Sequence, residues 1–180
     1  MTMNIDDIKV TMIEDSISVH DERLQTMQLF YPRMIHSEFM THRQHSKNAS
    51  SSRAIPVKTL LSMTRQQMYI PKFRKNQPGM QPGDYLSESE QRTAEAIWSD
   101  MAEYCMRGVE LLAEMGVHKQ WANRPTEWFG WINVLCTSST FTNFNALRME
   151  LTEAELPMAQ DEIYTLARKM WEVSRTSKPK

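Results

Sequence analysis

The sequence predicts an α+β domain of few strands and several helices. Three observations carry this. The chain has 180 residues, the size of one domain, so residues 1–180 are taken as a single domain. Two weakly alternating, β-branched segments lie near the N-terminus, and one apolar strand pattern lies near residue 133. Long helical patterns fill much of the remainder.

Residues 8–19 (IKVTMIEDSISV) read as a strand, and 24–31 (LQTMQLFY) as a second one. Pro32 then suits the first turn of a helix reaching His42, with Met34, Ile35, Phe39 and Met40 near helical spacing. The Ser- and Asn-rich stretch 44–56 reads as a structured loop, because short polar side chains compete for backbone hydrogen bonds. A short helix is expected over 57–67. Residues 71–84, with Pro71, Pro78, Gly79, Pro82 and Gly83, read as an irregular connection.

The clearest helix begins at Ser87, where Glu90 completes a capping box, and ends at Gly116. Ile97, Met101, Cys105, Leu111, Leu112 and Met115 form its expected buried stripe. A helical segment near 117–124 follows. Residues 129–137 (FGWINVLCT) read as a buried strand with Ile132, Val134 and Cys136 on one side. Helices are expected at about 139–149 and 158–174, the latter burying Ile163, Leu166, Ala167 and Met170.

Composition excludes several classes. The net charge of −1 rules out a generally basic nucleic-acid coat. Two cysteines, Cys105 and Cys136, cannot build a disulfide framework or a Cys-rich zinc module. The N-terminus MTMNIDDIKV lacks the basic and apolar regions of a signal peptide, and no run is long enough to span a membrane. A cytoplasmic protein with reduced thiols is expected. Five glycines and no GxGxxG or GxxxxGK[ST] argue against a glycine-rich nucleotide loop. The fifteen methionines read as adaptable core.

Charge is unevenly spread. Between Glu38 and Asp84 there are eight Lys and Arg residues and no acid. Ser46, Asn48, Ser50, Ser51 and Ser52 are interleaved with Arg43, Lys47 and Arg53. Hydroxyl and amide groups beside arginine suit an anion cradle, with phosphate the obvious anion. His42-x-x-His45 is a possible ligand pair, but only Glu38 is nearby and no thiol is adjacent. Hydrogen-bonding or structural histidines, and no metal, are therefore expected. Both cysteines sit in apolar patterns and read as inert core thiols. Trp128, Phe129, Trp131, Phe141 and Phe144 read first as core. Their functional alternative is a stacking platform, with Arg148 reaching the polar edge of a planar ring.

Taken together, THRQHSKNASSSR (41–53) resembles the signature of the flavin-dependent thymidylate synthase (ThyX) family, R-H-R, seven residues, then S. His42, Arg43, Ser46, Asn48, Ser51 and Arg53 match it. A second block, NFNALR (143–148) followed by MAQDEI (158–163), resembles the family's N-F-x-x-L-R…H-A-Q-x-E-I. Ala122-Asn123-Arg124 resembles its intervening arginine. The resemblance covers residues 32–170, and the SSSRAIP variant resembles phage-type members, which implies the host cytoplasm.

This resemblance implies a ThyX-like domain with a small antiparallel sheet, assembled as a homotetramer with shared active sites. It implies FAD as cofactor, with dUMP, methylenetetrahydrofolate and NADPH as substrates, and neither membrane nor nucleic acid as partner. By match, Ser51, Ser52, Arg53 and Arg124 hold the nucleotide phosphate and sugar. Arg148 contacts the base, and Glu38 stands near the nucleotide. Thr41, His42, Arg43 and Asn143 bind FAD. Arg148, Ser51 and Arg53 are the expected catalytic group. Departures are Thr41 for the first Arg, Ala49 for the usual Glu, Met158 for the usual His, and the inserted MELTEAELP (149–157).

Two other outcomes follow from the same residues. Capture of a C5-methylene intermediate by water instead of hydride gives a dCMP or dUMP hydroxymethylase, for which a Glu38 carboxylate suits the N4 amino group of cytosine. A non-catalytic nucleic-acid module using the basic 41–75 window predicts steep salt dependence and no flavin.

Overall fold

The computed structural model describes residues 2–180. Contacts group them into two compact units interleaved along the chain. One comprises residues 2–6, Pro32–Met34 and Ser50–Trp131, the other Asp7–Tyr31, Ile35–Ala49 and Ile132–Lys180.

The second unit holds a four-stranded sheet. Strands β2 (Lys9–Ile17) and β3 (Arg23–Pro32) form an antiparallel hairpin, and β4 (Ser46–Ala49) pairs antiparallel with β6 (Trp131–Ser138). The order is β2-β3-β6-β4. A register irregularity falls between Met12 and Glu14. Alternation decides the faces: Met27, Leu29 and Tyr31 with Ile132, Val134 and Cys136 are buried. Helix α6 (Asp161–Thr176) packs on β2 and against α5 (Thr142–Arg148), burying Ile163, Leu166, Ala167 and Met170. Arg23 grips Asp15 bidentately, at 2.6 and 2.8 Å, and donates to the carbonyls of Ser174 and Ser177. A cation there complements the negative end of α6.

The first unit is built on α3 (Glu88–Glu114). Ser87 receives the capping carboxylate of Glu90 on both its hydroxyl and its amide, and Gly116 at φ +79° ends the helix. Leu61 from α2 (Val57–Gln66), Ala102, Met106, Val109 and Phe129 make its core, with Trp98 and Cys105 packed against it. Strand β1 (Thr2–Met3) pairs parallel with β5 (Met68–Tyr69), and the Trp98 indole donates to the Tyr69 carbonyl at 2.9 Å. The irregular 71–84 connection is pinned by Gln91, whose amide both accepts from and donates to Phe73. Among the described residues no helix is long and apolar enough to cross a membrane.

Four elements differ from the sequence expectation. Pro32 ends β3 instead of opening a helix; a 3₁₀ turn (Arg33–Ile35) then leads into α1 (His36–Met40). The polar run at 46–49 is a strand, because β6 supplies the ladder that Ser and Asn side chains would otherwise compete with. The buried side of α3 is Ala102, Met106 and Val109, whereas Ile97, Met101, Leu111 and Met115 are exposed. Two apolar stripes run along that helix, and periodicity alone does not say which one the chain covers. The helix expected near 117–124 is the shorter α4 (Lys119–Ala122), followed by a 3₁₀ helix (Arg124–Phe129) opened by Pro125.

Candidate functional site

The sequence-identified residues fall into two clusters, one in each unit. In the sheet-bearing unit the first is built on the end of β3. Tyr31, buried, meets His36 Nδ1 at 2.8 Å and packs edge-on to Phe39 of α1. Phe39 in turn packs edge-on to Phe144 of α5. This aromatic stack fixes α1 beside the C-terminal end of α5, where Arg148 emerges.

Arg148 Nη1 lies 2.5 Å from Glu38 Oε1, and its Nε donates to His42 Nε2 at 3.1 Å. The His42 ring rests edge-on against Phe144, 4.7 Å between centroids. Burial and the neighbouring Arg148 and Lys47 charges hold His42 below its usual pKa, so it accepts as the neutral ring. His45 lies among Phe39, Phe141 and Phe144, and burial, followed by Lys47 and His42, lowers it to about 4. Lys47 donates to the carbonyls of His42 and Phe39 and sits 5.2 Å over the Phe39 ring. Thr41 caps α1 by donating to the Glu38 carbonyl. Arg43 and Asn143 are exposed.

The second cluster, in the α3 unit, centres on a turn. Ala54 and Ile55 amides donate to the Ser51 and Ser52 carbonyls. Asn123, fully buried, donates its amide to the carbonyls of Ser52 and Ile55 at 2.8 and 3.0 Å. That pins the segment. The buried Ser52 hydroxyl donates to Glu127. The same carboxylate takes Arg33 at 3.2 Å and Arg124 at 3.1 Å. Ser51 and Arg53 stand exposed on this turn, and Lys119 donates to the Ala54 carbonyl.

Glu38, Thr41, His42 and Arg148 are thus brought together, as are Ser51, Ser52, Arg53 and Arg124. Among the described residues the Arg43 and Asn143 side chains form no hydrogen bond or ion pair with Arg148, Glu38 or His42. Sequence reasoning missed Glu127 and Arg33, and named Lys47 and Asn123 only as members of the basic window and of the Ala122-Asn123-Arg124 motif. Glu127 had one signal, its i, i+3 spacing from Arg124. Arg33 had none, since it stands far from both in sequence.

The aromatic run divides between two cores. Phe129 belongs to the α3 core and Phe141 and Phe144 to the Arg148 cluster, while Trp128 is exposed. Cys136 is buried in β6 and burial pushes its thiol up to about 12, so it is no nucleophile. Cys105 packs against the α3 core. No group of three potential metal-ligating side chains occurs among the described residues.

No family model matches the sequence, and no curated protein does. Solved structures do match. The chain is similar to a UMP/dUMP methylase, PolB from Streptomyces cacaoi, bound with 5-Br UMP: TM-score 0.78, 17% identity, covering 97% of this chain and 91% of that one. The same methylase bound with 5-Br dUMP gives a TM-score of 0.71 at 15% identity, over 93% and 90%. The flavin-dependent thymidylate synthase ThyX of Helicobacter pylori, complexed with FAD and dUMP, gives 0.53 at 16% identity, over 84% and 67%. The chain has the ThyX-like fold.

Proposed function

We propose that the protein is an enzyme that modifies C5 of a pyrimidine nucleotide with the help of a flavin. The reaction it fits best is that of a thymidylate synthase, dUMP to dTMP, with methylenetetrahydrofolate as one-carbon donor and NADPH as reductant. The observation that carries the reading is Arg148, fixed by Glu38 and His42 beside an aromatic stack.

C5 of uracil is a weak nucleophile. One route activates it by adding a thiolate to C6, which needs an ionised, reachable cysteine. Cys136 is buried with its thiol raised to about 12, and Cys105 is packed against core. Activation therefore falls to electrostatics. A guanidinium held in place stabilises negative charge as it develops on the ring, without reorganising at the moment of reaction. Glu38 and His42 supply that hold.

The nucleotide phosphate is assigned to Ser51, Ser52, Arg53 and Arg124. Arg53 is exposed and pairs with no acid among the described residues, and Arg124 uses one of its amino groups on Glu127, leaving further donors for an anion. FAD is assigned to Thr41, His42, Arg43 and Asn143. The donor set fits, since Arg43 and Asn143 are exposed and His42 is kept uncharged. Bound there, the flavin supplies the hydride. The chain's own contribution is positioning. The reading includes self-assembly with active sites shared between copies.

A hydroxymethylase acting on dCMP or dUMP is the second reading. It is favoured by Glu38, a carboxylate 2.5 Å from the proposed base-contacting arginine and able to accept from a cytosine amino group. The deciding experiment incubates the protein with FAD, NADPH and methylenetetrahydrofolate, offers dUMP and dCMP separately, and weighs the products. A methyl product from dUMP supports the synthase; a hydroxymethyl product selects the second reading. No flavin binding and no product from either nucleotide overturns both.

A further inference from the structure

One carboxylate of the α3 unit gathers donors from three separate segments. Glu127 Oε1 accepts from the Ser52 hydroxyl, lies 3.2 Å from Arg33 Nη2, and accepts from Arg124 Nη1 at 3.1 Å. Its Oε2 takes the same Arg124 nitrogen at 3.2 Å. The three donors are not alike. Ser52 is buried, and Asn123 pins its carbonyl at 2.8 Å. The Arg33 side chain is 17% exposed, and its backbone amide donates to the Gly130 carbonyl at 2.9 Å. The Arg124 side chain, 52% exposed, stands in solvent. Glu127 is therefore anchored by two fixed groups and itself holds a third that is otherwise free to move.

The part of Arg124 that is held matters. A guanidinium binds an oxyanion best through two parallel N–H bonds along one edge. Both Arg124 contacts to Glu127 use Nη1, and its Nε and Nη2 make no hydrogen bond among the described residues. The Nε–Nη2 edge is the one with which Arg23 grips Asp15, at 2.8 and 2.6 Å. Spending Nη1 on Glu127 leaves that edge intact for an anion. It also fixes the side chain beforehand, so less rotamer freedom remains to be lost when the anion binds.

Charge alone does not account for a carboxylate at this turn. Glu127 stands beside Ser51, Arg53 and Arg124, the residues that best suit a phosphate, and a negative charge there weakens the attraction for one. Orientation of Arg124 is what the carboxylate gives in return.

We propose that Glu127 is a positioning residue for the nucleotide phosphate: anchored by Ser52 and Arg33, it holds Arg124 with its Nε–Nη2 edge free for the anion. The inference rests on the assignment of the phosphate to this turn. It refines the part of one residue, since the Ser52 hydroxyl serves the phosphate through Glu127 and does not touch it.

The test titrates the full chain with dUMP and, separately, with inorganic phosphate, at constant salt. Glu127→Asp keeps the charge but shortens the reach by one methylene, so it cannot meet Ser52, Arg33 and Arg124 together. It should weaken both ligands at least fivefold. Arg124→Ala should weaken them at least tenfold. Adding Glu127→Asp to Arg124→Ala should then cost less than a further twofold, because no arginine edge is left to set. Ser52→Ala, which removes one anchor and no charge, should weaken binding two- to threefold when Arg124 is present and not when it is absent. This second variant decides the matter if Glu127→Asp fails to fold, which a melting curve shows. Wild-type affinity or tighter binding in these variants overturns the inference and leaves the nucleotide reading standing. So does an effect that multiplies with that of Arg124→Ala. A protein that binds inorganic phosphate with the stated variant effects but ignores dUMP supports the inference and removes the nucleotide. A protein that binds neither ligand overturns both.

Discussion

Arg148 donates its Nε to the ring of His42 at 3.1 Å, across 106 residues of chain. The bond fixes two things at once. It orients the guanidinium, and it requires an unprotonated Nε2 on His42, which burial and, after it, the same positive charge favour. The proton of the neutral ring then belongs on Nδ1. A flexible side chain at the end of a seven-residue helix becomes a preset cation.

Arg148→Ala removes that cation. Turnover should fall by about a thousandfold, the scale of losing one preorganised charge stabiliser. The melting temperature should change by only a few degrees, because the side chain lies at the edge of the aromatic stack. Steady-state kinetics with a melting curve checks both, and unimpaired turnover would refute the role.

Glu38→Gln separates two functions of one carboxylate. If Glu38 reads the base, the ratio of kcat/KM on dUMP to that on dCMP should rise about tenfold, since the amide can donate to a carbonyl. If it only orients Arg148, both substrates lose equally. The first outcome is expected, and paired substrate assays read it directly.

Arg53→Ala and Asn123→Ala act on the same turn differently. Arg53 is exposed, so its loss should raise the nucleotide KM at least tenfold and leave the melting temperature unchanged. Asn123 is buried and holds two carbonyls. Its loss should cost about 2 kcal/mol, or ~4–8 °C in a chain of this size. An unchanged KM in Arg53→Ala would count against the phosphate cradle.

Stability should fall with acid through His45. Burial lowers it from 6.5 to about 4, so between these values the unfolded chain binds a proton that the fold excludes. Stability is therefore full above pH 6.5 and declines as pH drops towards 4, by up to ~1.4 kcal/mol per pH unit. His45→Gln should flatten the slope of melting temperature against pH in that window. A variant with the wild-type slope would show that His45 is not the titrating group.

The strands at 9–17, 23–32 and 131–138 were legible because alternation and β-branching act locally. So were the ends of α3, set by Ser87, Glu90 and Gly116. The strand at Ser46–Ala49 was not, because its evidence lies in its partner β6. Glu127 was not singled out, since Ser52, Arg33 and Arg124 converge on it from three separate segments.

By itself the sequence determined the α+β class, most elements, and the residue types gathered at 41–53 and 143–148. Spacing and caps are properties of neighbours, so one strand of text contains them. Only the tertiary structure decided that Arg148 is held by Glu38 and His42, that Asn123 pins the Ser51–Ile55 turn, and which stripe of α3 the chain itself covers. Each of those depends on groups that meet only when distant segments pack, where burial and desolvation set charge and orientation.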